Sequence, residues 1–210
     1  MAWSDYVVRL LNSEDWSPSL WEHEIGQQNP SEWKLFVDRM IDMRCESFVG
    51  IGALHGGNQW DIARKYSHLG MKCEMLVVDS SASRQALRSF DFINRNFKDI
   101  KVDFRICDSS KIKSEDLHGS WDACFIDGCH LYDSVRRDYE LVSPLVKKMI
   151  GFHDINADLQ STNGQFGVQK LFDEIKAKHS WHEKIVFEKN PWYGIGVVYN
   201  LPEKRSIPLH

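Results

Sequence analysis

Four aspartates and two histidines stand where chemistry could use them. Asp79, Asp108, Asp127 and Asp154 each close an apolar, β-rich run: KCEMLVVD (72–79), KVDFRICD (101–108), WDACFID (121–127) and KKMIGFHD (147–154). His130 follows in the stretch Ile126-Asp127-Gly128-Cys129-His130, and His153 directly precedes Asp154. A carboxylate can hold sugar hydroxyls, ligate a hard cation or orient an imidazole. An imidazole, with a reference pKa near ~6.5, can exchange a proton at neutral pH. One aspartate at a strand end is more commonly the cap of the next helix. Four of them in the same kind of position are harder to attribute to capping alone.

Positioning them falls to a repeating strand–helix chain. CESFVGI (45–51) is β-rich and ends at glycines, and Ile62, Tyr66 and Leu69 follow at helical spacing. Ala86, Phe90, Ile93 and Phe97 predict a helix starting near Ser81 or Ser83. Val135, Tyr139 and Val142 mark another, closed by Pro144, and GVQKLFDEIKAKH (167–179) reads as an amphipathic helix. WHEKIVFEKN (181–190) and WYGIGVVYN (192–200), with Asn190-Pro191 turning between them, predict a hairpin because no helix separates them. The expected fold is α/β: a Rossmann-like, seven-stranded, mostly parallel sheet with one antiparallel strand and helices on both faces. Ligands of such sheets bind at the C-terminal edge of the strands, where all four aspartates fall.

The 210 residues suit one main domain, with 42% hydrophobic and 27% charged residues. A net charge of -4 with scattered basic residues gives no general attraction to nucleic acid or anionic membranes. No secretory signal or membrane span is read, so the expected location is the cytoplasm. Five cysteines (Cys45, Cys73, Cys107, Cys124, Cys129) sit in or beside apolar runs and predict buried, reduced thiols. A zinc site from Cys124, Cys129 and His130 is a minor alternative. Residues 1–44 differ in character, with Trp3, Tyr6, Trp16, Trp21 and Trp33 and one clear helix near Ser31–Met43. They are read as a small helical cap on a domain spanning 45–202, followed by a tail at 203–210. The aromatic segment could pack on the core, enclose an acceptor or form a homo-oligomer contact.

The first strand runs into VGIGALHGGN (49–58), where glycines allow tight turns and close approach to a ligand. With Asp79 one helix later, this suits a nucleoside cofactor whose ribose is held by the carboxylate. The spacing of Gly52, Gly56 and Gly57 misses the Gly-x-Gly-x-x-Gly turn of nicotinamide dinucleotides, and no Tyr-x-x-x-Lys pair is present. S-adenosylmethionine has no phosphate and needs a loop around its methionine end, an acid for ribose and polar contacts to adenine. Asp108, in ICDSS, is placed for the last.

The pattern FVGIGALHGGN, LVVDSS, ICDSS, FIDGCHLYDSVRRDYELVSPLV, GFHDI and YGIGVVY resembles class I S-adenosylmethionine-dependent methyltransferases. Within that superfamily it is similar to the branch including macrocin-type sugar O-methyltransferases and cephalosporin-hydroxylase-like proteins. The resemblance covers about 45–200. It implies cofactor contacts at Gly50, Gly52, His55, Gly56 and Gly57, at Asp79 and Ser80, at Asp108 and Ser109, and at Asp127. It implies a divalent cation, magnesium or another hard ion, on Asp127, His153 and Asp154. It also implies His130, with Asp127, as the catalytic pair that removes the acceptor's proton. The family usually carries an acid where this chain has Gly50. The expected activity is methyl transfer to an oxygen of a small, sugar-like acceptor. The alternatives are a non-catalytic S-adenosylmethionine binder on the same fold and, more remotely, a nicotinamide-dependent oxidoreductase.

Overall fold

The computed structural model describes residues 28–156, 167–179, 181–187 and 194–200. Its first helix, α1 (Pro30–Asp42), starts one residue earlier than the sequence pattern predicts, because Asn29 is the cap. The Asn29 side-chain oxygen accepts from the N–H groups of Ser31 (3.0 Å) and Glu32 (3.3 Å). Pro30 takes the first helical position, where no N–H is missed.

The chain then alternates: β1 (Ser47–Ile51), α2 (Gly57–His68), β2 (Cys73–Asp79), α3 (Arg84–Asn96) and β3 (Ile100–Ile106). Two short 3₁₀ turns, Ser109–Lys111 and Ser114–Leu117, connect β3 to β4 (Trp121–Ile126). Helix α4 (Tyr132–Val142), β5 (Val146–Phe152), α5 (Val168–Lys176), β6 (His182–Ile185) and β7 (Ile195–Tyr199) complete it. Strand β6 is shorter than the predicted run, and the Asn190-Pro191 turn lies outside the described residues.

Among the described residues the sheet has seven strands in the order β3-β2-β1-β4-β5-β7-β6. Strand β7 runs antiparallel to both β5 and β6, and the remaining pairs are parallel. The predicted hairpin therefore supplies the one reversed strand. The chain builds outward from β1 to β3, then returns to place β4 on the other side of β1. Connections leaving β1 and β4 thus diverge at the C-terminal edge and open a crevice between them.

Side chains alternate between two cores, as the period of a strand requires. Met75 and Val77 of β2 face a layer containing Phe36 and Met40 of α1, Ile62 and Tyr66 of α2 and Phe90 of α3. Leu76 and Val78 face the other layer, with Val135 and Val142 of α4 and Leu171 and Phe172 of α5. Trp33 and Phe36 both lie with ring centroids 5.0 Å from that of Phe125 on β4. The N-terminal helix is thus fastened to the sheet by buried aromatic rings under the end of β4. Trp3, Tyr6, Trp16 and Trp21, named above for packing or oligomer contact, lie outside the described residues. No described helix is long and apolar enough to cross a membrane.

Candidate active site

At the first crossing, β1 ends against β4 with almost no separation. A Cβ built on Gly52 would lie 2.2 Å from the backbone oxygen of Asp127, and Gly52 has φ +95°. Only glycine satisfies both conditions. The loop beyond it is held by Asp79: one carboxylate oxygen accepts from the N–H groups of Ala53 (2.7 Å) and Leu54 (3.2 Å). The other accepts from the Ser81 N–H (3.0 Å) and, at 3.4 Å, its hydroxyl. An ionised carboxylate offers about four lone-pair sites, so Asp79 has its full complement.

The neighbouring loops are tied in the same manner. His55 Nδ1 lies 3.2 Å from Ser83 Oγ, and Ser83 donates to the Leu54 carbonyl (2.8 Å) while capping α3 through the Ala86 N–H. Asp108 caps the first 3₁₀ turn, accepting from the Ser110 N–H at 2.9 Å. Hydrogen bonds from Ser110 hold its carboxyl below the usual range. Ser109 reaches sideways to the buried Asp138 of α4, whose carboxyl burial pushes up.

The end of β4 is organised differently. Asp127 Oδ1 lies 3.0 Å from His153 Nδ1 and 3.4 Å from His130 Nε2, while its Oδ2 accepts from Gln28 Nε2 at 2.5 Å. His130 Nδ1 lies 3.2 Å from Asp154 Oδ2, and His153 Nδ1 lies 3.2 Å from Asp154 Oδ1. His130 therefore spans the two carboxylates with its two ring nitrogens. Asp154 adopts the left-handed conformation (φ +57°), which aspartate tolerates better than most residues.

Burial would raise the Asp127 carboxyl, but the charge of His153 and hydrogen bonds from both imidazoles outweigh it and hold it well below the usual range. Burial pulls His153 down, yet the adjacent Asp127 and Asp154 carboxylates keep it above its ordinary value. Asp154 goes the opposite way: burial pushes it up to about 6 against the pull of His153 and His130.

One cleft of about 1150 Å³ joins the two halves. Gly52, His55 and Gly57, Asp79 and Ser80, Asp108 and Ser109 line it on one side, and Asp127, His130, His153 and Asp154 on the other. Two expected contacts stand outside its wall. Gly50 lies within β1, where an added Cβ would meet the Phe48 ring (3.2 Å) and the Gln59 side chain (3.3 Å). Gly56 instead backs onto α3, with Phe90 3.0 Å from where its Cβ would be.

One donor atom from each of Asp127, His130 and His153 lies within 4.8 Å of the others, a separation that one divalent ion can bridge. These three side chains could hold a cation; Asp154, which the resemblance places among the ligands, lies beside the group, with its Oδ2 3.2 Å from His130 Nδ1 and its Oδ1 3.2 Å from His153 Nδ1. The imidazoles add borderline ions such as Mn²⁺ to the hard ions expected. The minor zinc alternative does not form, since Cys124 is buried in the core beneath α4. Cys129 is exposed and Cys107 half-buried, so only Cys45, Cys73 and Cys124 match the expected burial. Gln28 and Asp138 were not marked by the sequence, whereas Ser83 was, as a helix start, and it is the cap of α3. The Asn29-Pro30 helix start signals where Gln28 lies, but nothing local indicates its partner.

No family model matches the sequence, and no curated protein is significantly similar to it. Solved structures are similar over nearly the whole chain. An O-methyltransferase from Streptomyces achromogenes involved in tomaymycin synthesis, in complex with SAM, has a TM-score of 0.62 at 13% identity, covering 93% of this chain and 94% of its own. The O-methyltransferase from Bacillus cereus, in complex with SAH, has 0.56 at 15%, covering 94% and 88%. The N-methyltransferase NodS from Bradyrhizobium japonicum, also with SAH, has 0.57 at 11%, covering 95% and 98%. The fold is that of class I methyltransferases. At such identities the likeness carries the architecture, and both O- and N-methylating proteins share it.

Proposed function

We propose that the protein is an S-adenosylmethionine-dependent methyltransferase that modifies an oxygen of a small hydroxylated, sugar-like acceptor with help from a divalent cation. The observation that carries this reading is the meeting of Asp79 and the glycine loop with Asp127, His130 and His153 across one cleft. S-adenosylmethionine supplies an electrophilic methyl group on a sulfonium. A cation bound at the Asp127 end would supply a positive charge that lowers the pKa of acceptor hydroxyls.

The chain's own residues do the rest. Asp79 holds the ribose, giving up its contact with the Ser81 hydroxyl, and the polar edge of Asp108 and Ser109 faces adenine. The close crossing at Gly52 sets the loop and Asp127 side by side, fixing the distance between methyl donor and acceptor. Asp154 orients His130 through Nδ1, and the imidazole takes the acceptor proton. Asp127 stays ionised and balances the charge that builds on the imidazoles. His130 cannot take that proton through the nitrogen that faces Asp127 if the cation also occupies it. In the loaded site we therefore assign the cation to Asp127, His153 and Asp154, leaving His130 as base.

The test is formation of S-adenosylhomocysteine in the presence of a panel of hydroxylated acceptors, with and without chelator. Turnover that chelator suppresses and Mn²⁺ or Mg²⁺ restores supports the reading. Turnover indifferent to chelator removes the cation from it.

A second reading, a non-catalytic binder of the same cofactor, is favoured by Gly50. Gly50 offers no carboxylate, and a Cβ added there would press on the Phe48 ring (3.2 Å) and the Gln59 side chain (3.3 Å). Calorimetric binding of S-adenosylhomocysteine without turnover of any acceptor would support it.

A further inference from the structure

Gln28 lies just ahead of the α1 cap, far from Asp127 in sequence, yet it is 1% exposed and stands on the cleft wall. Its carboxamide orientation is set by chemistry: only the NH₂ end can face a carboxylate oxygen at 2.5 Å. Its own Oε1 is buried without a hydrogen-bond partner among the described residues. A buried amide left half-satisfied costs stability, so packing alone gives no reason for a glutamine here. Two anchors fix it in place. Asn29 caps the helix that follows, and Glu32, one turn further, accepts from the backbone N–H groups of Phe187 (3.0 Å) and Gly194 (2.8 Å).

The consequence falls on Asp127. Its Oδ2 is engaged by Gln28, and its Oδ1 is the atom presented to both imidazoles. Accepting a cation through Oδ1 alone is one-oxygen ligation; two-oxygen ligation would require Gln28 to let go. Ca²⁺ takes six to eight oxygens and readily accepts a two-oxygen carboxylate, whereas smaller ions need near-octahedral, one-oxygen contacts. We propose that Gln28 is a specificity-determining positioning residue: by occupying one oxygen of Asp127 it makes the site discriminate against Ca²⁺ in favour of smaller divalent ions. This rests on the cation reading given above.

The test is a pair of affinities measured on the whole protein. Mn²⁺ binding is followed by loss of the free-ion electron paramagnetic resonance signal, and Ca²⁺ by competition. In Gln28→Met, which keeps length and loses the donor, the preference for Mn²⁺ over Ca²⁺ is expected to fall by about tenfold or more. A merely structural role would weaken both ions together, and an unchanged preference would overturn the inference. Wild-type protein offers a second measurement that needs no variant. The infrared carboxylate bands that Ca²⁺ shifts, and that Asp127→Asn removes, should carry the wide splitting of one-oxygen ligation. The narrow splitting of two-oxygen ligation would contradict it. Failure of wild type to bind Mn²⁺ at all would remove the cation reading itself. Mn²⁺ binding lost in Asp127→Asn, with the ion preference untouched by Gln28→Met, would remove only the role of Gln28.

Discussion

The two walls of the cleft solve the same problem, placing carboxylates at strand ends, in opposite ways. On the β2 and β3 side, Asp79 and Asp108 satisfy themselves with backbone N–H groups of adjacent loops and stay near water. On the β4 and β5 side, Asp127 and Asp154 face the imidazoles of His130 and His153 and, at Asp127, the carboxamide of Gln28; Asp154 is buried and Asp127 half-buried. Acids held by backbone N–H groups have a fixed position, which suits binding of hydroxyls. Acids beside imidazoles have their proton affinities shifted by those partners, which suits proton transfer and cation binding. Under the proposed function, recognition falls to one wall and chemistry to the other.

The largest expected effect separates the walls directly. His130→Ala should lower kcat by about 10²- to 10⁴-fold, the usual contribution of a general base, while S-adenosylhomocysteine affinity by calorimetry stays within a few-fold. Loss of cofactor binding in that variant would erase the division. Asp79→Asn should do the reverse. Weakening a charge-assisted hydrogen bond costs about 1.5–3 kcal/mol, so cofactor affinity should fall roughly ten- to a hundredfold with kcat at saturation little changed.

How much of this could be read from the chain follows the same division. The Asp79 side was legible because a strand, a glycine turn and an acid one helix later specify one another by backbone geometry. The order of elements and the reversed strand were legible too, since apolar alternation and the missing helix before β7 dictate them. Gln28 was not, because its role depends on where α1 packs, and that is decided by Trp33 and Phe36 meeting Phe125 across the sheet. Gly50, expected as a cofactor contact, lies within β1 and off the cleft wall. Strand alternation already puts Phe48 on the face of Gly50, but the approach of Gln59 from α2 shows only in three dimensions.

The pH dependence should also divide along these lines. Asp154 is raised to about 6, so its contribution to stability is full below its unfolded value and is lost as pH rises through about 6. His153 is raised, so its share is full below ~6.5 and fades above that. Asp127 is lowered, so its share is full above ~3.9 and is lost as the solution is acidified further. Thermal melts of the cation-free protein should therefore be highest at mildly acidic pH and decline toward pH 8. Mn²⁺ binding should strengthen over that same interval, because it needs His153 neutral and Asp154 ionised. A flat Mn²⁺ affinity between pH 5.5 and 7.5 would place the ion elsewhere.

The smallest effect concerns the loop alone. Leu54 is exposed yet holds φ +46°. Leu54→Gly should relieve the left-handed penalty and raise stability by up to about 1 kcal/mol in denaturant melts, partly offset by the entropy glycine adds to the unfolded chain. A clear loss of stability would mean that the side chain is held by contacts the exposed position does not suggest.

The central claim is that one nucleoside site lies between the glycine loop and the aspartate–histidine cluster, and a crystal structure with S-adenosylhomocysteine tests it most directly. The account predicts ribose hydroxyls within hydrogen-bond distance of Asp79 and the homocysteine sulfur directed toward Asp127 and His130. Ligand bound away from the Gly52–Gly57 loop, or with its sulfur turned from His130, would contradict it.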